Sequence, residues 1–111
     1  MKRFLLSVLL VSTPLQAADK FAGPCYKVRG RLSYYNGTPS TRIWIVGTHR
    51  MLGVRSEDSK LPANVKPLLK DFGDNIFADF VVCPLTRERP GHMRIVFVKS
   101  ASRVISRPRR Q

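Results

Sequence analysis

Residues 26–34 read YKVRGRLSY, and this stretch decides the fold class. Tyrosine, valine, glycine and leucine alternate here with lysine, arginine and serine. A period of two is typical of a β-strand that packs one face on a core and turns the other to water. The wet face would carry a row of three cations, Lys27, Arg29 and Arg31. The stretch therefore predicts a half-buried strand with a basic outer face.

Four more segments downstream have the composition of strands, and the Asn36-Gly37 turn dipeptide leads into the first of them. Their predicted bounds are 42–46, 51–55, 76–83 and 93–99. Between segments 51–55 and 76–83, Leu61-Pro62 opens a predicted short helix that reaches about Phe72. Pro67 lies inside that helix and would kink it.

The predicted order is strand, strand, strand, helix, strand, strand, which is the order of an oligonucleotide/oligosaccharide-binding barrel. A small β-sandwich with one helix has the same order. We therefore predict a mainly β domain: a small five-stranded antiparallel barrel or sandwich with one short helix between strands 3 and 4.

The first 17 residues have the three-part pattern of a secretory signal peptide. Lys2 and Arg3 precede a short apolar core, and Ala17 supplies a small residue at the predicted cleavage point. The core is about half the roughly 20 apolar residues that a membrane-spanning helix needs. We predict cleavage after Ala17, a secreted or periplasmic location, and no transmembrane segment in the mature protein.

The mature chain contains two cysteines, Cys25 and Cys83, in an oxidising compartment. A disulfide between them is the default expectation. It would stabilise the fold by roughly 4 kcal/mol by restricting the unfolded chain. We expect one β domain from residue 18 to 100, followed by a mobile basic tail from 101 to 111.

The charge is strongly positive. The chain has 20 basic and 7 acidic side chains, and loss of Lys2 and Arg3 with the signal peptide leaves 18 against 7, a net charge of +11. Such a field attracts anionic lipids, envelope polymers, nucleic acid or acidic proteins. Nucleic acid is a poor candidate because a signal peptide directs the protein away from it.

Three motifs resemble a family of small secreted bacterial proteins with no known activity. They are VRGRLS at 28–33, RIWxxGTxRxLGV at 42–54 and FADFxVCPxTR at 77–87. The resemblance covers about residues 25–100. It implies a signal peptide and a two-cysteine pattern, and it implies no substrate or site residue.

Asp79 interrupts the apolar segment IFADFVVC at residues 76–83, where an unpaired carboxylate would be costly. It is either a catalytic acid of a small hydrolase or the partner of a cross-strand cation. The abundance of cations favours the ion pair, and the candidate partners are Arg29, Arg31 and Arg42.

The sequence contains no motif that indicates a metal site, a cofactor site or a serine hydrolase. His49, His92 and the two cysteines lack the short spacings of structural zinc sites. No Gly-x-Ser-x-Gly motif is present. We therefore expect no metal, no cofactor and no enzymatic activity.

The segment TRERPGH at 86–92 places Arg87 and Arg89 around a glutamate in a predicted loop. Arginine forks suit phosphate or carboxylate groups. Aromatic stacking by Tyr35 is a further possibility, whereas Trp44 and Phe77 are expected in the core.

The leading hypothesis is a non-enzymatic binding module for an anionic envelope component or acidic protein. Its predicted contact residues are Lys27, Arg29, Arg31, Arg87 and Arg89. The alternative is a protein-directed inhibitor or chaperone-like protein that uses a loop or a strand edge, and a hydrolase using Asp79 ranks third.

Overall fold

The structure is a computed structural model that describes residues 21–55 and 61–108. The predicted signal peptide, its cleavage site and the last three residues of the predicted tail lie outside these ranges. Within them, no helix is both long enough and apolar enough to span a lipid bilayer.

Five strands and one 3-10 turn make up the described fold. The strands are β1 Tyr26–Tyr34, β2 Thr41–Ile45, β3 Met51–Val54, β4 Asn75–Pro84 and β5 Arg94–Arg107, and the turn is Lys66–Leu68. The strands close into a barrel in the order β1-β2-β3-β5-β4. This order is that of the five-stranded Greek-key barrel of oligonucleotide/oligosaccharide-binding domains. The barrel prediction is thus confirmed and the sandwich is excluded.

One pairing differs from the predicted antiparallel sheet. β3 and β5 run parallel, with Leu52 opposite Arg94 and Val54 opposite Val96, whereas the other four pairings are antiparallel. β4 is antiparallel to β1 and β5 is antiparallel to β4, so β5 runs in the same direction as β1 and β3.

The barrel interior is apolar because alternate residues of every strand point inward. Its fully buried large side chains include Leu32, Ile43, Leu52, Ile76, Phe80, Val82, Val96 and Val98. Gly30 permits the close approach of β1 and β2, since a Cβ there would lie 2.3 Å from Ile43 Cγ2. Replacing it would force one of the two strands outward.

The predicted short helix between strands 3 and 4 is present only as the 3-10 turn Lys66–Leu68, so the predicted span from Leu61 to about Phe72 is too long. Pro67 has no N–H to donate, so it interrupts the hydrogen-bond ladder of an α-helix at this point. The segment still covers one end of the barrel, where Leu61, Val65 and Leu69 are buried.

β5 is longer than predicted. The domain boundary expected at Ser100 falls inside this strand, which pairs with β4 until Arg107 lies opposite Asn75. Ala101 and Val104 pack against the core, so burial continues past the last strongly apolar run. The prediction of a separate tail is therefore wrong for residues 101–107.

The predicted disulfide between Cys25 and Cys83 is confirmed, with the sulfurs 2.08 Å apart. The preceding residues are held against the same end of the barrel. Ala22 N–H donates to the carbonyl of Pro84 at 2.8 Å, and the ring of Phe21 stacks on that of Phe97.

Candidate functional site

The outer surface of β1 and β2 brings together side chains that are far apart in sequence. The register places Arg31 of β1 beside Trp44 of β2 and beside Phe77 of β4. Trp44 in turn lies opposite Met51 of β3. All four are partly exposed. The outer surface therefore carries a row of large side chains that crosses four strands.

Arg31 is the centre of this row. Its guanidinium carbon lies 4.9 Å from the centroid of the Trp44 ring, and its Nη2 donates to the hydroxyl of Tyr35 at 3.0 Å. Its Nε is buried and has no acceptor among the described residues. Arg31 is thus oriented by aromatic groups and keeps one unused donor.

Arg42 approaches the same tyrosine. Its guanidinium lies 5.2 Å from the centre of the Tyr35 ring, and its Nε donates to the carbonyl of Pro39 at 2.8 Å. A cation over an aromatic face is stabilised by about 0.5–1 kcal/mol at an exposed site. We call Arg31, Tyr35, Arg42 and Trp44 the arginine–aromatic cluster. Neither of its two cations forms an ion pair with another residue in the part of the chain that the structure describes.

The loop at residues 35–40 forms one wall of the cluster. A Cβ at Gly53 of β3 would lie 2.6 Å from Pro39 Cγ, so the loop folds closely over the outer surface of β3. Tyr35 N–H also donates to the carbonyl of Ser40 at 2.6 Å, which closes the loop. The wall is therefore held by both packing and a main-chain bond.

The other predicted cation on β1 has a different role. Arg29 Nη1 lies 3.4 Å from Asp79 Oδ1 and donates to the carbonyl of Arg103 at 2.9 Å. Arg103 donates to the same carboxylate through Nε at 2.5 Å and Nη2 at 3.0 Å. Asp79 is therefore an ion-pair partner, as the more favoured hypothesis expected, with Arg103 as a partner that was not anticipated.

The bonds from Arg103 hold the pKa of the Asp79 carboxyl below its usual value, and those from Arg29 act in the same direction against the opposing effect of burial. A general acid needs the opposite shift, toward neutral pH. This geometry disfavours Asp79 as the proton donor of a hydrolase.

The remaining predicted contact residues are exposed. Lys27 lies on the same side of β1 as Arg29 and Arg31, and Arg87 and Arg89 lie in the loop at 85–93 between β4 and β5. That loop is at the end of the barrel where β1 begins, since Tyr26 pairs with Val82.

Glu88 ties the β4–β5 loop to its neighbours. Its carboxylate lies 2.6 Å from Arg50 Nη2 and 3.3 Å from Arg94 Nη1. The side chains of Glu88 and Arg50 are both more than half exposed, so the bridge contributes under about 1 kcal/mol. It orders the loop, and it leaves Arg87 and Arg89 without an ion pair in the described structure.

The sequence did not identify every member of the cluster. Trp44 and Phe77 were expected in the core, but both lie half-buried on the outer surface. Arg42 was considered only as a partner for Asp79. The alternation of Arg42 and Trp44 along β2 was a usable signal, although the cross-strand register was needed to place Tyr35 and Arg31 beside them.

His49 and His92 are both exposed, one in the turn at 46–50 and the other in the β4–β5 loop. No group of three or more histidine, cysteine or acidic side chains in residues 21–55 and 61–108 is placed to hold a metal ion.

Comparisons of the chain with protein-family models, with curated proteins and with solved structures found no match. The arrangement of the described side chains is therefore the basis for a functional proposal.

Proposed function

We propose that this protein is a non-enzymatic secreted or periplasmic binding module that recognises a phosphate-bearing polymer of the cell envelope. The observation that carries the proposal is the arginine–aromatic cluster, in which Arg31 and Arg42 are held by aromatic groups rather than by carboxylates. Their positive charge remains available to a ligand.

The hydrogen-bond donors of the cluster favour an anionic oxygen. The hydroxyl of Tyr35 already accepts from Arg31, so its own proton is free to donate. A phosphate oxygen near Tyr35 would receive this proton and would lie close to the charges of Arg31 and Arg42.

Cations around the cluster would add attraction over a longer range. Lys27, Arg87 and Arg89 are exposed and without an ion pair in the described structure. At physiological ionic strength the field of such exposed charges extends about 8 Å. We expect these residues to raise the rate of encounter with a polyanion, and the cluster to determine where it is held.

The proposed compartment follows from the predicted signal peptide, and the disulfide is compatible with it. An envelope location supplies phosphorylated glycans in abundance and excludes cytoplasmic nucleic acid.

The test uses the phosphorylated core oligosaccharide of lipopolysaccharide as probe and the same oligosaccharide after enzymatic removal of phosphate as control. Titration calorimetry at rising salt should show binding to the phosphorylated form alone, and that binding should weaken steeply with salt. Binding that ignores salt, or no binding at low salt, would contradict the proposal.

Matched variants locate the site. The double variant Arg31→Gln/Arg42→Gln removes two cations from the cluster, whereas Lys99→Gln/Arg107→Gln removes two exposed cations from β5, which β3 and β4 separate from β2 and β1. A charge-assisted hydrogen bond contributes about 1.5–3 kcal/mol, so the first variant should bind at least about tenfold more weakly. The second should bind almost as the wild type. Equal losses would mean that net charge, and not the cluster, determines binding.

A further inference from the structure

β5 continues well beyond the strand that flanks it on one side. β3 pairs with it only along Arg94–Val96, whereas β4 accompanies it to Arg107. The side of Ser102–Arg107 that faces away from β4 therefore has no neighbouring strand among residues 21–55 and 61–108. We call this side the β5 edge.

The main chain along the β5 edge is free at residues 104–107 in the described structure. The last covered position is Ala101, whose carbonyl accepts from the side-chain amide of Asn64 at 2.9 Å. Beyond it, the main chain of residues 104–107 bonds to other described residues only through the pairing with β4, whereas the carbonyl of Arg103 also accepts from Arg29 Nη1 at 2.9 Å. Unpaired strand edges are templates for another extended chain.

The side chains along the edge define what it would accept. Ile105 is 46% exposed and Arg107 is exposed beside it, whereas the guanidinium of Arg103 is already paired with Asp79. β5 contains no acidic residue. The edge thus combines one apolar contact with a positive field.

A second copy of the chain is a poor occupant of this edge. Every copy carries the same excess of basic side chains, 20 against 7 acidic ones in the full sequence, and chains of like charge repel each other. The bulge at Arg103 also bends the strand, a common way in which proteins discourage self-pairing.

We propose that the β5 edge binds an extended acidic segment of a partner protein by strand addition. The partner's main chain would pair with residues 104–107, an acidic side chain would face Arg107, and an apolar side chain two positions away would contact Ile105. Strand addition draws affinity from main-chain bonds and specificity from alternate side chains. This site is separate from the arginine–aromatic cluster and does not depend on the proposed function.

The probe is a fluorescent, end-blocked peptide of sequence Glu-Ser-Val-Ser-Glu-Ser, which places glutamate and valine on one face of a strand, with the lysine analogue Lys-Ser-Val-Ser-Lys-Ser as a charge control. Fluorescence anisotropy should show binding of the acidic peptide alone. Amide chemical shifts should change at residues 102–107. Shifts confined to Arg31, Tyr35 and Arg42 would overturn the proposal, because the peptide would then occupy the cluster.

Main-chain pairing has a signature that electrostatic attraction lacks. Two peptides methylated at the backbone nitrogens of odd or even positions carry the same charges but block opposite edges. One methylation pattern should weaken binding at least about tenfold, and the other should leave it nearly unchanged. Equal affinity for both patterns would overturn strand addition.

Charge reversal separates this edge from the rest of β5. Arg107→Glu should weaken binding of the acidic peptide and create binding of the lysine peptide, whereas Lys99→Glu, with the same charge change on the same strand, should do neither. The variant Arg31→Gln/Arg42→Gln should bind the acidic peptide as the wild type does. The unliganded protein should sediment as a monomer, and dimerisation abolished by Arg107→Glu would contradict the proposal.

Discussion

Arg103 and Asp79 form a two-pronged ion pair on the outer surface between β5 and β4. Nε lies 2.5 Å from Oδ2 and Nη2 lies 3.0 Å from Oδ1. Asp79 is only 9% exposed, so its carboxylate has few contacts with water. Its hydrogen bonds come instead from Arg103, whose own side chain is largely exposed to solvent.

The pair depends on an irregularity in β5. Phe77 lies opposite Ile105 and Asp79 opposite Ser102, so β5 contains one residue more than β4 in this interval. Arg103 in that bulge has a φ of +49°, which disfavours any residue with a Cβ. Bulges commonly redirect a side chain, and here the ion pair offsets the backbone strain.

Asp79→Asn should lower stability at neutral pH, with an effect that fades in acid. Because the folded state lowers the pKa of this carboxyl, its contribution is present above the ordinary pKa of 3.8 and is lost as pH falls through the lowered value. Urea unfolding midpoints from pH 7 to pH 2.5 should therefore converge for the variant and the wild type. A difference that stays constant across this range would refute the interpretation.

The effect of Arg103→Gly on the free energy of unfolding should have opposite signs in the wild type and in the Asp79→Asn variant. In the wild type it removes the ion pair and should destabilise the protein. In the Asp79→Asn background little pairing remains to lose, and glycine tolerates the positive φ, so the same substitution should stabilise. Unfolding free energies of the four proteins in this cycle test the expectation, which fails if the substitution destabilises equally in both backgrounds.

Replacing both cysteines by serine should lower the free energy of unfolding by about 2–5 kcal/mol. The bridge joins positions 58 residues apart and restricts the unfolded chain. Chemical denaturation of the variant and of the reduced wild type should agree, because both lack the same covalent link. Equal stability of the oxidised and reduced wild type would contradict this role.

Gly30→Ala should destabilise the barrel by about 1–3 kcal/mol through overpacking. The new Cβ would lie 2.3 Å from Ile43 Cγ2 and 3.1 Å from the carbonyl oxygen of Trp44. Gly23→Ala is the matched control, since a Cβ there meets only ordinary contacts at 3.6 Å. Thermal unfolding should separate the two variants, and similar melting temperatures would argue against the tight approach of β1 and β2.

Glu88→Gln should strengthen binding of the phosphorylated oligosaccharide. The substitution removes a negative charge and releases Arg50 and Arg94 from their ion pairs. Stability should change by less than about 1 kcal/mol, because the bridge is exposed. An affinity that stays unchanged or falls in this variant would contradict the expectation.

Some of these features could be predicted from local sequence. The alternation along residues 26–34 correctly indicated one buried and one basic face of β1, and two cysteines in a chain with a predicted signal peptide indicated the disulfide. Both inferences depend on short-range periodicity or on simple counting.

Other features escaped sequence analysis for identifiable reasons. Trp44 lies between apolar neighbours, so the hydrophobic pattern did not reveal which face of β2 is buried. Arg103 follows a run of small polar residues that resembles a strand end, although β5 continues to Arg107. The pattern beyond Ser100 is weak because only Ala101 and Val104 pack against the core.

The sequence by itself determined the strand-rich character of the chain, its positive charge and the pair of cysteines. Only the tertiary structure showed that Arg31 lies over Trp44 and that Asp79 is paired with both Arg29 and Arg103. It also showed that β5 extends beyond the end of its pairing with β3. The physical reason is that neighbours across a sheet depend on which strands pair and in which register. In this barrel β1 pairs with both β2 and β4. Arg31 therefore lies in a cluster with aromatic residues and keeps its charge, whereas Arg29 forms an ion pair with Asp79.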